Sequence, residues 1–253
     1  MPAAGTTVER FRACVCVSGS VAAVKTPELV RALLQRGVSV DLVLTDAAHS
    51  LLRASYQSSI PLAQLERLEH QCKAQAKLVQ HAPTLNVYRD ADEWAAYETV
   101  GVDTVLHVEL AKRSQLLLIA PLCANALAGA ALGLCGNLLG SVLRAWYYDL
   151  DPEFAAPIAE RCGAHVIAKP VLVAPAMNTF MWHQRITGQH LATLEARGVR
   201  VAPPIAKRLA CGDMGMGAMA EVPDVVRAAL ELLEAHLAAE ERALAEGKQR
   251  FEL

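Results

Sequence analysis

The stretch RACVCVSGSVAAVKTPELVRALLQRGVSVDLVLT, from Arg12 to Thr45, decides the fold. RACVCV is a short β-prone run that ends in Ser18-Gly19-Ser20. Beyond the turn, Leu29, Val30, Leu33 and Leu34 fall on one face of a helix, and Gly37 stands where a helix C-cap needs a left-handed residue. VSVDLVLT then reads as a second strand. Strand, Gly/Ser turn, helix and strand form a βαβ unit, which implies a parallel sheet.

The same grammar continues downstream. The segment from Ala48 to Val79 reads as helical with a turn near Pro61, LNVY as a short strand and DEWAAYETVG as a surface segment. HVELAKRS predicts a short helix and QLLLIAPL a buried strand. ANALAGAALGLCGNLLGSVLRAW reads as one helix rich in small residues, suited to tight packing within a subunit, to a subunit contact or to a flat ligand. Residues 147–168 read as a surface excursion with one short helix. KPVLVAPAMN is a strand, QHLATLEARG a helix capped by Gly198, VRVAPP a strand, and 223–248 a long amphipathic helix. This alternation predicts one doubly wound α/β domain spanning 1–253, with its core at about 11–222.

Composition narrows the function. Hydrophobic residues make up 53% of the 253 and aromatics 5%, which suits aliphatic helices packed on a buried sheet. The formal net charge of -2 offers no cationic field, so nucleic-acid binding is not expected as the main task. The seven cysteines are odd in number and none has CxxC spacing, which argues against a disulfide framework or a thiolate metal site. Reduced thiols, no signal-like apolar region near the N-terminus and no run of membrane-spanning length make the cytoplasm the expected compartment.

Five segments carry chemistry. In SGSVAAVK, the turn through Gly19, Ser20 and Val21 either aims backbone N–H groups at a phosphate or is an ordinary βα connection. Thr45, at the end of the second strand, is placed to help the same phosphate. Cys123, Ala124 and Asn125 open a helix of small residues that suits a planar ring or close helix packing. His107 is a candidate base or a structural imidazole. In PAMNTFMW, an amide and two thioethers follow a buried strand. LACGDMGMGAMAE is a glycine-rich flap or hairpin with Cys211 at its base.

Taken in order, GSVAAVKTPEL, HVEL, APLxANxLA…GLCxNLL…RAW, PAMNxxMW and ACGDxGxGAMAE resemble the flavin-containing cysteine decarboxylases, in particular their pantothenate branch in coenzyme A biosynthesis. The resemblance runs from about Val15 to Val222. It implies a flavodoxin-like three-layer sandwich with a parallel sheet and a homotrimer that binds FMN and a small-molecule substrate where subunits meet. By resemblance, Gly19, Ser20, Val21 and Thr45 lie at the FMN phosphate, and Cys123, Ala124 and Asn125 beside the flavin. Asn178 holds the substrate carboxylate, with Ala176, Met177 and Met181 around it; His107 and Cys211 are the acid–base residues. Cys123 stands where the family usually has Ser or Asp, Ala126 where it has Thr, Gly129 where it often has Lys, and Gly136 where it has Asp.

The implied chemistry explains those residue types. Direct loss of CO₂ from an acylated cysteine leaves a carbanion with no electron sink. Oxidation of the thiol to a thioaldehyde places C=S β to the carboxylate, and the electrons then settle on sulfur as an ene-thiolate. A neutral amide holds the carboxylate without stabilising the charge that must be lost. Two other readings stay open: another FMN-dependent cysteine decarboxylase, or a non-enzymatic relative that inhibits a type 1-like protein phosphatase. Such regulators carry long N-terminal extensions and acidic C-terminal tails, and this sequence ends EGKQRFEL.

Overall fold

RACVCV becomes β1 (Arg12–Val17), whose last five residues are buried, as a strand covered on both faces requires. The computed structural model describes residues 11–151, 153, 164–165, 167–208, 214–246 and 249–250. After β1 come a 3-10 turn at Val21–Lys25, α1 (Thr26–Gln35), β2 (Ser39–Leu44), α2 (Asp46–Leu52), α3 (Pro61–Leu78) and β3 (Leu85–Arg89). Then follow α4 (Leu106–Arg113), β4 (Leu116–Leu122), α5 (Ala124–Leu132), α6 (Leu138–Ala145), β5 (Ala164–His165) and β6 (Val171–Pro175). The remaining elements are α7 (Thr179–His183), α8 (Arg185–Ala196), β7 (Arg200–Val201), β8 (Ile205–Arg208), β9 (Met214–Ala218), α9 (Val222–Ala245) and β10 (Gln249–Arg250).

Six strands form one sheet in the order β3-β2-β1-β4-β6-β7, and every neighbouring pair is parallel. β8 and β9 make an antiparallel hairpin, and β5 pairs with β10. Alternation along the strands sends side chains to two cores. Ala13, Val15 and Val17 join Leu29 and Leu33 of α1, Leu65 of α3 and Val225 of α9. Cys14 and Cys16 join Leu110 of α4, Leu127 of α5, Val142 of α6 and Leu194 of α8. The result is the expected three-layer α/β sandwich, with the connections reversing direction between β1 and β4.

One expected helix is two. The run from Ala124 to Trp146 breaks at Gly133, whose φ of 71° is left-handed. Leu134 N–H returns to Gly129 O at 2.8 Å, closing α5, and the Asn137 side chain accepts the Gly140 N–H at 2.9 Å, opening α6. A stretch of Ala, Leu and Gly has a helical look throughout, and these two caps override it. The short helix expected within 147–168 lies largely outside the described residues. The terminal helix begins at Val222, one residue before the expected start.

Asp41, in the middle of β2, is fully buried in this apolar frame. Its carboxylate accepts from Arg12 Nη1 at 3.1 Å, Arg113 Nε at 2.8 Å and Asn86 Nδ2 at 2.8 Å. Burial alone would depress the Arg113 guanidinium; hydrogen bonds and charge from Asp41, with help from Tyr88, reverse this and leave its pKa raised. A buried carboxylate so held costs little while its partners are present and much when they are removed. Arg113→Met, which leaves Arg12 and Asn86 on the carboxylate and removes a partly solvent-screened guanidinium, is expected to lower the unfolding free energy by about 1–2 kcal/mol, read from urea titration. Val87→Thr, at a half-buried position on neighbouring β3, should cost about 1 kcal/mol or less in the same titration.

Candidate functional site

Every strand of the parallel sheet empties at the same edge, and the Gly19–Ser20–Val21 turn, Cys123 and Asn178 follow strand ends there. Ser18, 1% exposed, ties two strand ends together. Its hydroxyl donates to Pro121 O at 2.8 Å and accepts the Cys123 N–H at 2.8 Å. Ala176 N–H extends the tie to β6 by donating to Leu122 O at 2.9 Å. The sequence reading passed over Ser18; its place as the last residue before the glycine turn was the available signal.

The Gly19–Ser20–Val21 turn follows directly. A Cβ on Gly19 would stand 2.6 Å from the Ala47 Cβ, so only glycine lets this turn lie against α2. Ser20 caps the 3-10 turn by accepting the Ala22 N–H at 3.4 Å, and among the described residues its hydroxyl proton has no protein acceptor. Among the described residues, the Gly19 N–H has no protein acceptor. Thr45 is committed otherwise than expected: its hydroxyl donates to Val17 O and accepts the Ala48 N–H, both at 3.2 Å. Here Thr45 shapes the start of α2. Cys123 caps α5, with Sγ accepting the Ala126 N–H at 3.4 Å, so a thiol does the work usual for a hydroxyl. Ala124 and Asn125 supply first-turn N–H groups that no intrahelical partner satisfies. Free N–H donors, a free hydroxyl and a half-buried small-residue edge fit a phosphate with a flat ring beside it.

Asn178 ends the β6 loop and caps α7: its Oδ1 accepts the Met181 N–H at 2.8 Å. That bond fixes which end of the amide is spent and leaves the NH₂ group, on an exposed residue, to donate. Met181 is 46% exposed, close to Asn178. Ala176 and Met177, expected around the substrate, turn their side chains into the two opposite cores. They follow the strand alternation and contribute by holding the loop, not by lining a pocket. The β8–β9 hairpin clamps this loop. Met177 N–H donates to Gly217 O at 2.9 Å, and a Cβ on Gly215 would meet Thr179 Oγ1 at 2.5 Å. The hairpin brackets residues 209–213; Cys211 lies outside the described residues.

His107 opens α4, on the connection leaving β3. Its Nδ1 lies 2.5 Å from Glu93 Oε1, a contact the sequence reading missed. Glu93 is the second residue of the segment read as surface, yet it is buried, and its Oε2 has no protein partner among the described residues. No hydrogen bond joins His107 or Glu93 to Gly19, Cys123 or Asn178 among the described residues. One chain thus brings the donor turn, Cys123 and Asn178 to one edge and keeps the imidazole–carboxylate pair as a separate group.

Residues 3–234 match the model of the family described as Flavoprotein. The phosphopantothenoylcysteine decarboxylase of Oryza sativa subsp. japonica is 40% identical over 222 residues, covering 87% of this chain and 80% of that protein. The mouse (Mus musculus) phosphopantothenoylcysteine decarboxylase is 39% identical over 237 residues, 93% and 94% of the two chains. Among solved structures, a Cys-to-Ser mutant of PPC decarboxylase complexed with pantothenoylaminoethenethiol matches with a TM-score of 0.64 at 35% identity, covering 88% of this chain and all of that one. The FMN binding protein AtHal3 matches with a TM-score of 0.65 at 35% identity, over 90% and 98% of the chains.

The hairpin clamp is testable by itself. Gly217 has φ of 127°, and a Cβ there would lie within van der Waals radii of the Met177 carbonyl oxygen. Gly217→Ala should cost about 2–4 kcal/mol in chemical unfolding through strain and overpacking. Gly136→Ala, where nothing lies within 4 Å of the added carbon, should stay within about 0.5 kcal/mol.

Proposed function

From a chain that belongs to the Flavoprotein family, we propose an FMN-dependent decarboxylase that converts 4′-phospho-N-pantothenoylcysteine to 4′-phosphopantetheine in the cytoplasm, as one step of coenzyme A biosynthesis. The observation that carries this reading is Asn178: its carbonyl is locked into the α7 cap, and a neutral donor is left at the ligand edge of the sheet. The likeness to phosphopantothenoylcysteine decarboxylases over most of both chains supports the substrate.

Gly19, Ser20 and Val21 would hold the FMN phosphate, with Cys123, Ala124 and Asn125 along the ring. When bound, FMN supplies the two-electron acceptor for the cysteine thiol and the two-electron donor that completes the reaction. The protein's own residues do the rest. Asn178 grips the substrate carboxylate through N–H donors with no formal charge, so charge leaving as CO₂ forfeits little binding. His107 takes a proton during oxidation, and Cys211 donates one as the ene-thiol is reduced.

The split site bears on the assembly. Between β3, which leads to Glu93 and His107, and β6, which leads to Asn178, lie three strands, or about 19 Å at ordinary strand spacing. Val21, which follows the end of β1, and Phe180 and Met181, which follow the end of β6, are also exposed. We take both features to support a homotrimer in which one copy's histidine completes another copy's Asn178 site.

The purified chain, supplied with FMN, is expected to release CO₂ and form 4′-phosphopantetheine from the pantothenate substrate; no product from flavin-loaded protein defeats the proposal. Asn178→Ser separates cap from carboxylate grip, because serine also caps helices. It should leave the melting temperature and bound flavin nearly unchanged while turnover falls about 10²-fold. Cys211→Ser should still release CO₂ and accumulate the oxidised ene-thiol, detectable by mass spectrometry.

A further inference from the structure

We propose that Glu93 is the positioning residue of His107: its carboxylate holds the imidazole with the proton on Nδ1, so that Nε2 is the nitrogen left to exchange protons. An ionised carboxylate only accepts hydrogen bonds, so the 2.5 Å contact between Glu93 Oε1 and His107 Nδ1 requires the proton on Nδ1. A free imidazole prefers neither partner nor orientation; a buried carboxylate behind it supplies both.

The burial is lopsided in the way such a pair needs. The Glu93 side chain is 8% exposed and the His107 side chain 23%. The carboxylate thus sits behind the ring and the ring faces outward. Nearby polar groups are engaged elsewhere: the Glu93 N–H donates to Asp90 O, the Asp92 carboxylate accepts the Arg89 N–H, and Asp90 accepts from the Asp46 and Leu138 N–H groups. With Oε2 unpartnered among the described residues, His107 is the one side chain answering this buried charge there. Ring and carboxylate come from two different segments, the end of the 3-10 turn at Asp90–Asp92 and the first turn of α4, and the contact fixes the ring against rotation. When Nε2 takes a proton, the resulting imidazolium lies against a negative charge already in place, and no solvent has to reorganise to meet it.

The tautomer follows from this chain's geometry; the role in proton transfer rests on the decarboxylase reading. Both are tested with full-length protein labelled with ¹⁵N-histidine. Among its eight histidines, the His107 signals are assigned by their loss in His107→Gln. The expected wild-type spectrum shows a protonated Nδ1 and a bare Nε2 for neutral His107, with the proton shifting to Nε2 in Glu93→Ala, the preference of an unconstrained imidazole. A proton on Nε2 in the wild type overturns the proposal whether or not any variant folds, as does an unchanged tautomer in folded Glu93→Ala. In the FMN-loaded enzyme, Glu93→Ala should lower kcat about 10²-fold with KM and flavin content unchanged. An unchanged kcat overturns the positioning role. A wild type that gives the expected spectrum but turns over no pantothenate substrate defeats the decarboxylase reading and leaves the tautomer assignment standing.

Discussion

Parallel pairing of β1 with β2 on one side and β4 on the other constrains everything else in this molecule. Val15 faces Leu42 and Leu118 across the two ladders, and Cys16 faces Val43 and Ile119. Both faces of the central strands are therefore buried under helices, and apolar side chains fill them. Chemistry has no room inside the sheet, so it is displaced to the edge where all strands end together. The Ser18 hydroxyl, bonded to Pro121 O and Cys123 N, keeps the β1 and β4 ends in fixed relation at the point where the connections diverge. That point is the crevice where open α/β sheets take ligands.

Asp41 shows how strict the constraint is. Its carboxylate sits in a fully buried, mostly apolar strand, and two arginines and an asparagine converge to hold it. Arg12 comes from β1 and Arg113 from α4, so one charge ties the strand edge to the helix that carries His107. Lys169 works at the same end of α4, donating to the carbonyls of Ala111, Lys112 and Ser114 while lying over the Trp146 and Tyr147 rings. The helix bearing the imidazole is thus anchored at its far end, and the Glu93 contact at its near end acts on a rigid element.

The layers, the parallel sheet and the edge at which its strands end were legible in the sequence because they depend on periodicity: apolar strand runs, one-sided helices and a Gly/Ser turn between them. What was not legible depends on contacts that have no period. Glu93 lies fourteen residues before His107 in an acidic, aromatic segment that looks like solvent-facing chain, and only the fold turns it inward. The break at Gly133 was hidden because Ala, Leu and Gly suit both a helix and its end. Met177 looked like a pocket wall, yet strand alternation carries it into the core. Thr45 was placed correctly at a strand end, but its hydroxyl proton is spent on Val17 O, which residue type alone does not reveal.

The distribution of charge around the edge bears on the chemistry proposed for it. A decarboxylase gains nothing from gripping the carboxylate of its ground state with a cation, since that attraction vanishes as CO₂ forms. Lys25 follows the donor turn and Lys207 lies on the hairpin that clamps the Asn178 loop, and both are drawn to Glu221, at 2.8 and 3.0 Å. Hydrogen bonds from Lys25 first and Lys207 second hold the Glu221 carboxyl below the usual carboxylate range, so one carboxylate engages both ammonium groups and the three keep a net charge of one positive. The Asn178 amide at the end of β6 is a neutral donor, and its orientation is set by the helix it caps. The buried negative charge is reserved for the imidazole, away from the strand end where a carboxylate substrate would have to approach. Neutral donors on one side and a carboxylate-backed base on the other are the polarity that proton removal followed by loss of CO₂ requires.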